Sequence, residues 1–150
     1  MASDKSDRAA GGGKTSRRRS REFAAQGIYQ WLLSAETPDR ILAHLAERED
    51  FARADAEHCS ALIRGAIREV EALRTALAPH LDRPINALSP VEHAILLLAT
   101  FELTRHLEIP RRVVINEAIE IAKRFGGADG YKYVNGVLDR LAKIARAAEQ

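Results

Sequence analysis

The stretch Ser89-Pro90-Val91-Glu92, followed by Ala94, Ile95, Leu96, Leu97, Leu98, Ala99 and Phe101, constrains this chain more than any other. Serine is a preferred N-cap, and proline suits the first helical turn. Glu92 stands where a capping-box glutamate reaches back to the Ser89 amide. The helix so opened, from Val91 to about Arg105, is apolar on nearly every side. Such a helix belongs at the centre of a fold, and the rest of the chain must supply its cover.

The remaining segments read as that cover. From about Ser16 to Ser34, Phe23, Gly27, Ile28, Trp31 and Leu32 recur at helical spacing. Thr37-Pro38 reads as a cap and first helical position, with Ile41, Leu42 and Leu45 continuing a second helix. Glu47 to Asp50 is a charged break. One long helix is expected from about Asp55 to Ala78, with Leu62, Ile63, Ala66, Ile67, Val70, Leu73 and Leu77 on its apolar side. Ile109-Pro110 opens a further helix that carries Val114, Ala118, Ile121, Ala122 and Phe125 and ends at Gly126-Gly127. The last runs from about Gly130 to Ala147 on Tyr133, Val137, Leu138, Leu141 and Ile144. No stretch sustains period-two alternation. The expected fold is therefore all-α, with about six to seven helices in one compact domain over residues 16–147. Gly27, Gly65 and Gly136 fall inside these helices at about 1 kcal/mol each relative to Ala, which points to close helix–helix approach.

Charge is unevenly placed. Residues 1–21 hold seven Lys or Arg against two Asp, whereas the rest is net acidic, and the whole chain sums to +2. Positive charge gathered at one end suits an anionic partner, nucleic acid first. Residues 1–15, Gly-rich and charged, are expected to form a disordered tail, because they cannot bury enough apolar surface to offset ordering. Cys59 is the only cysteine, which excludes an intramolecular disulfide and a zinc site built on several thiolates. No apolar run approaches the roughly 20 residues that span a bilayer, and no signal-peptide apolar region is present. The expectation is a cytoplasmic protein without membrane contact.

Catalytic signals are missing. The chain has no phosphate-binding glycine loop, no His-Glu-x-x-His and no nucleophile elbow. The histidines at 44, 58, 80, 93 and 106 form no i, i+4 ligand pair. His58 and Cys59 project about 100° apart on a helix. No metal, cofactor or catalytic residue is expected, and the chain is read as no enzyme.

The basic segment carries more. Arg17, Arg18, Arg19 and Arg21 open the first helix, where cations oppose the macrodipole. Arg18 and Tyr29 are eleven residues apart, hence within about 20° on one helical face. Arg21 and Gln26 flank that line, while Phe23 and Trp31 point the other way. Arginine binds phosphate through its planar fork, and tyrosine offers a ring on which a base can stack. The same residues also read as surface charge beside a half-buried core tyrosine, and the pattern leaves both readings open.

These motifs carry a family resemblance. Ser16-Arg-Arg-Arg-Ser-Arg-Glu-Phe-Ala-Ala-Gln-Gly-Ile-Tyr-Gln-Trp31 resembles the opening helix of NusB proteins. Leu88-Ser-Pro-Val-Glu92 resembles the family's middle signature. Asn116-Glu-Ala-Ile-Glu-Ile-Ala-Lys123, Phe125-Gly126 and Tyr133-Val-Asn-Gly-Val-Leu-Asp139 resemble its C-terminal motifs. The resemblance covers about residues 16–147. It implies two small helical subdomains and a transcription antitermination factor. That factor binds boxA RNA of ribosomal RNA operons jointly with ribosomal protein NusE, within the RNA polymerase antitermination complex. It implies RNA contacts at Arg17, Arg18, Arg21, Gln26 and Tyr29, and at Asp129, Lys132 and Tyr133. It implies NusE contacts at Glu92, Glu102 and Arg111, although the capping box alone accounts for Glu92. Homodimers also occur in the family. The rival reading is a non-catalytic NusB-like module of the RNA cytosine methyltransferase lineage. The enzyme of that lineage needs a cofactor-binding domain and a catalytic cysteine, and neither is seen in residues 1–150.

Overall fold

The computed structural model describes the backbone of residues 2–149 and the side chains of residues 15–149. Seven α-helices follow one another: α1 (Ala2–Ser34), α2 (Pro38–Ala46), α3 (Ala56–Arg68), α4 (Val70–Leu77), α5 (Pro90–Arg105), α6 (Arg111–Phe125) and α7 (Gly130–Ala145). Short 3-10 turns cover Glu49–Arg53, Ala78–His80 and Ile85–Ala87, and no strand occurs among the described residues. The backbone of α1 is helical from Ala2, where the sequence reading expects a disordered tail to residue 15. Most side chains of that tail lie outside the described residues.

The caps at Thr37 and Ser89 form where the sequence places them, but the Glu92 carboxylate does not close the expected capping box on the Ser89 amide and lies instead by Gly130. Thr37 Oγ1 accepts from Arg40 N (3.3 Å), and Ser89 Oγ accepts from Glu92 N (3.2 Å), each ahead of a proline. Asp55 caps α3 by accepting from His58 N (3.1 Å). Each of these bonds satisfies one of the orphan amides at a helix start, at about 1 kcal/mol per cap.

Helix α5 is central. Every residue from His93 to Leu103 is buried, and α1, α3, α4, α6 and α7 all pack on it. Fully burying one of its leucines or isoleucines stabilises the fold by about 1.5–3 kcal/mol. On one side of α5 lie α1 to α3; on the other, α6 and α7 pack on each other. The two sets share a single contiguous apolar cluster. Gly65 sits under Phe101: a Cβ built there would lie 2.2 Å from Cζ. Gly27 meets Ile63 in the same way at 2.6 Å, so both glycines permit close helix approach. Gly136 does not share that role, since a Cβ there meets only the end of Arg140 at an ordinary 3.4 Å.

Two expectations are corrected. The helix over 55–78 is broken at Glu69 (φ −104°, ψ 20°) into α3 and α4. The reason is tertiary: α3 lies along α1 and α5, whereas α4 turns toward α5 and α7, and no single straight rod follows both courses. The bend is held by Arg105 Nε on Glu69 Oε1 at 2.6 Å. The charged break at 47–50 is present and runs into a 3-10 turn from Glu49 that sets Phe51 edge-on to Phe23, with ring centroids 5.1 Å apart. Ile144 and Phe125, placed on core faces by periodicity, are exposed.

Candidate nucleic-acid interface

Helix α1 buries one stripe (Phe23, Ala24, Ile28) and turns another toward a groove of about 690 Å³. Gln26 and Tyr29 lie on this groove. One wall comes from α2 and the turn after it, including His44 and Arg48. A second comes from the start of α5 and the end of α6, including Val91, Arg124 and Phe125. Two floor side chains of α1 reach wall arginines: Gln26 Oε1 accepts from Arg48 Nη1 (2.8 Å), and Glu22 Oε2 accepts from Arg124 Nη1 (2.9 Å). Arg48 also stands over the Phe23 ring at 5.4 Å, and Arg124 over Phe125 at 5.3 Å. The groove therefore combines guanidinium groups with the rings of exposed Phe125 and half-buried Tyr29, Phe23 being buried beneath. These are the two elements with which proteins hold single-stranded nucleic acid.

The expected residues divide on inspection. Arg17 is exposed and has no carboxylate partner among the described residues. Arg18 is exposed, and its fork closes on Glu117 of α6 through Nε (3.2 Å) and Nη2 (3.0 Å), which raises its pKa further. Tyr29 is half-buried against the core and lines the groove.

Arg21 is a correction. It is 5% exposed and donates from Nε and Nη2 to Glu102, at 2.9 Å to Oε1 and 3.0 Å to Oε2. Glu117 stands 3.7 Å from its other terminal nitrogen. Its position at the flank of the α1 face turns it inward against α5, and it presents nothing to RNA. Glu102, expected at a protein interface, is the buried partner of the same pair at 1% exposure, and it offers nothing to a partner protein. The other two proposed partner contacts stand apart. Glu92 is in the first turn of α5, and its carboxylate lies by Gly130 at the start of α7. Arg111 opens α6 beyond the far end of α5, about 20 Å away at 1.5 Å per helical residue. Its backbone amide is taken by Glu149 at 2.8 Å.

The second expected RNA patch opens α7. Asp129 is the N-cap residue but makes no side-chain capping bond, and its carboxylate pairs with Lys132 Nζ at 3.3 Å. Both residues are exposed. Tyr133 is half-buried, and the Arg83 guanidinium covers its ring at 4.4 Å. Arg48, Arg83, Glu22, Arg124 and Glu117 were not foreseen from sequence. All but Glu22 come from other segments, and Glu22 is marked only by its partner Arg124 on α6; periodicity within one helix is all that is readable without the fold. Among the described residues no group of His, Cys, Asp and Glu is placed to hold a metal, and no helix is long and apolar enough to cross a membrane.

Comparison with known proteins agrees with this architecture. The NusB family model matches residues 18–143. Transcription antitermination protein NusB of Paraburkholderia xenovorans is 61% identical over 136 residues, covering 91% of this chain and 94% of that protein. Among solved structures, T. maritima NusB superposes with a TM-score of 0.73 at 34% identity, covering 85% of this chain and 90% of its own. A crystal structure of antitermination factors NusB and NusE in complex with double-stranded RNA matches with a TM-score of 0.72 at 25% identity, covering 87% and 98%. An all-α fold built around α5, a family model spanning most of the chain and relatives of this identity place the protein in the NusB family.

Proposed function

We propose that the protein is a non-catalytic RNA-binding transcription antitermination factor. It binds boxA RNA of ribosomal RNA operon transcripts together with ribosomal protein NusE, and the complex suppresses termination. The observation that supports this most directly is the α1 groove, which sets Gln26 and Tyr29 between arginine-bearing walls, with exposed Arg18 one turn before Glu22 of its lining. Membership of the NusB family supports it further, as does the likeness to a NusB that assembles with NusE and RNA. Arg17, Arg18, Gln26 and Tyr29 form the principal contact in this reading. Asp129, Lys132 and Tyr133 continue it at the start of α7, where the helix dipole and the Lys132 ammonium favour phosphate. Glu92 is retained as a NusE contact because its carboxylate is partly exposed beside that same helix start.

The test is a titration of boxA-type RNA and a scrambled control, with and without NusE, at two salt concentrations. Preference for the boxA sequence that sharpens on adding NusE is expected. Equal binding of both RNAs, abolished by salt and indifferent to NusE, would overturn the assignment.

A further inference from the structure

The seam between α1 and α6 carries two ion pairs of reversed polarity, one turn apart on α1 and about two turns apart on α6. Arg18 of α1 meets Glu117 of α6 at 3.0 Å, and Glu22 of α1 meets Arg124 of α6 at 2.9 Å. Both pairs show the same asymmetry. The arginine side chains are 54% and 62% exposed, whereas their carboxylates are 13% and 14% exposed. Glu117 is anchored from behind by Arg21 (3.7 Å), which is itself locked to buried Glu102. The arginines are free to swing away, but the carboxylates are not free to follow.

We infer that Glu117 and Glu22 are intramolecular counter-anions that hold down the sequence-independent part of RNA binding, so that the protein alone engages RNA weakly and relies on base contacts. The inference rests on the RNA-binding reading above. An RNA phosphate can take Arg18 or Arg124 only by taking from a mostly buried carboxylate its closest partner, leaving Glu117 with only the longer Arg21 contact at 3.7 Å and Glu22 with no ion pair, and weakening the pairing of such a group is costly. The phosphate contact and the lost ion pair then nearly cancel. Counterion release, the main source of nonspecific affinity, counts only cations not already neutralised by the protein. Arg19, which lines the groove, has no carboxylate partner among the described residues and keeps its full effect.

The test uses the full chain with Glu117→Gln, Glu22→Gln and the double variant. Each glutamine keeps the shape and an acceptor oxygen while removing the charge. Binding to a boxA-type single strand and to a scrambled strand is titrated between 0.05 and 0.3 M salt. A freed cation steepens the slope of log affinity against log salt by about 0.7 for a single strand, which is about 5-fold tighter binding at 0.1 M. Each single variant is expected to show that gain with both RNAs, and the double variant the product. Adding Arg18→Ala to Glu117→Gln abolishes its gain. Unfolding curves verify that Glu117→Gln remains folded. Glu22→Gln lies farther from the buried pair and carries the test alone if it does not. Wild-type-like or weaker binding by folded variants would overturn this inference while leaving the RNA reading intact. Failure of every form, wild type included, to bind either RNA would overturn both.

Discussion

Arg21 and Glu102 stand 81 residues apart in sequence and meet in a two-pronged ion pair inside the contact between α1 and α5, at 2.9 and 3.0 Å. Removing one partner strands the other charge in the interior, which costs about 3–5 kcal/mol. Arg21→Ala and Glu102→Ala are each expected to lower the urea midpoint accordingly. The joint replacement Arg21→Met with Glu102→Leu recovers most of the loss, because no charge is left unpaired. Equilibrium unfolding of the four forms measures this. A double variant no better than the worse single would show that the pair is not the unit of stability.

Gly65 and Gly127 make a matched contrast. Gly65→Ala drives a methyl to 2.2 Å from the Phe101 ring, whereas Gly127 has nothing within 4 Å of its would-be Cβ. Overpacking costs about 1–3 kcal/mol, offset in part by the roughly 1 kcal/mol gained in helix propensity. Gly65→Ala is expected to lower Tm by several degrees, while Gly127→Ala leaves it within about a degree, as differential scanning calorimetry would show.

Acid sensitivity should centre on His93. Burial, then the nearby Arg74 charge, lowers its pKa from 6.5 to about 4, and Arg74 Nε donates to its Nε2 at 3.4 Å, which requires the neutral ring. Burial also lowers the pKa of His58. In the unfolded chain these rings take protons near pH 6.5. A depressed histidine therefore contributes stability that is complete above pH 6.5 and lost as pH falls toward 4. For His93 the loss approaches about 3 kcal/mol. Urea unfolding at pH 7.5, 6 and 4.5 should show the decline, and His93→Gln should flatten it. An unchanged slope in that variant would assign the decline to other groups.

Ala35 ends α1 at φ 56°, in the left-handed region, with its amide bonded to Trp31 O at 2.8 Å. This closure suits glycine, and a side chain there costs about 1–2 kcal/mol. Ala35→Gly is expected to raise stability by about 0.5–1 kcal/mol, since glycine's extra freedom in the unfolded chain takes back part of the gain. A thermal melt that moves down instead would contradict it.

Much of the fold was legible because the signals were local. The caps at Thr37 and Ser89 involve residues three apart, and the apolar girth of α5 needs no partner to be recognised. The break at Glu69 was not legible: Leu62, Ile63, Ala66, Val70, Leu73 and Leu77 keep helical spacing across it, and only packing on two different neighbours forces the turn. Phe125 reads as core by its spacing from Ala118 and Ile121 but falls past the edge of α5, into the groove. The candidate site was legible in part. Arg18 and Tyr29 share a side of one helix with Gln26 at its flank, and helical geometry alone brings these three together, whereas Arg17, nine residues from Gln26, projects from the opposite side.

By itself the sequence determined which segments become helices, where several of them begin, and that α5 must lie at the centre. Those outcomes follow from propensity, capping and periodicity, which act over a few residues. The tertiary structure decided which arginine is offered to solvent and which is consumed. Arg18 and Arg21 are three residues apart on one helix, yet one keeps its guanidinium at the surface on Glu117 while the other is buried on Glu102. Their fates diverge because a charge is placed by what the neighbouring helices bring opposite it, and α5 and α6 are distant from α1 in the chain.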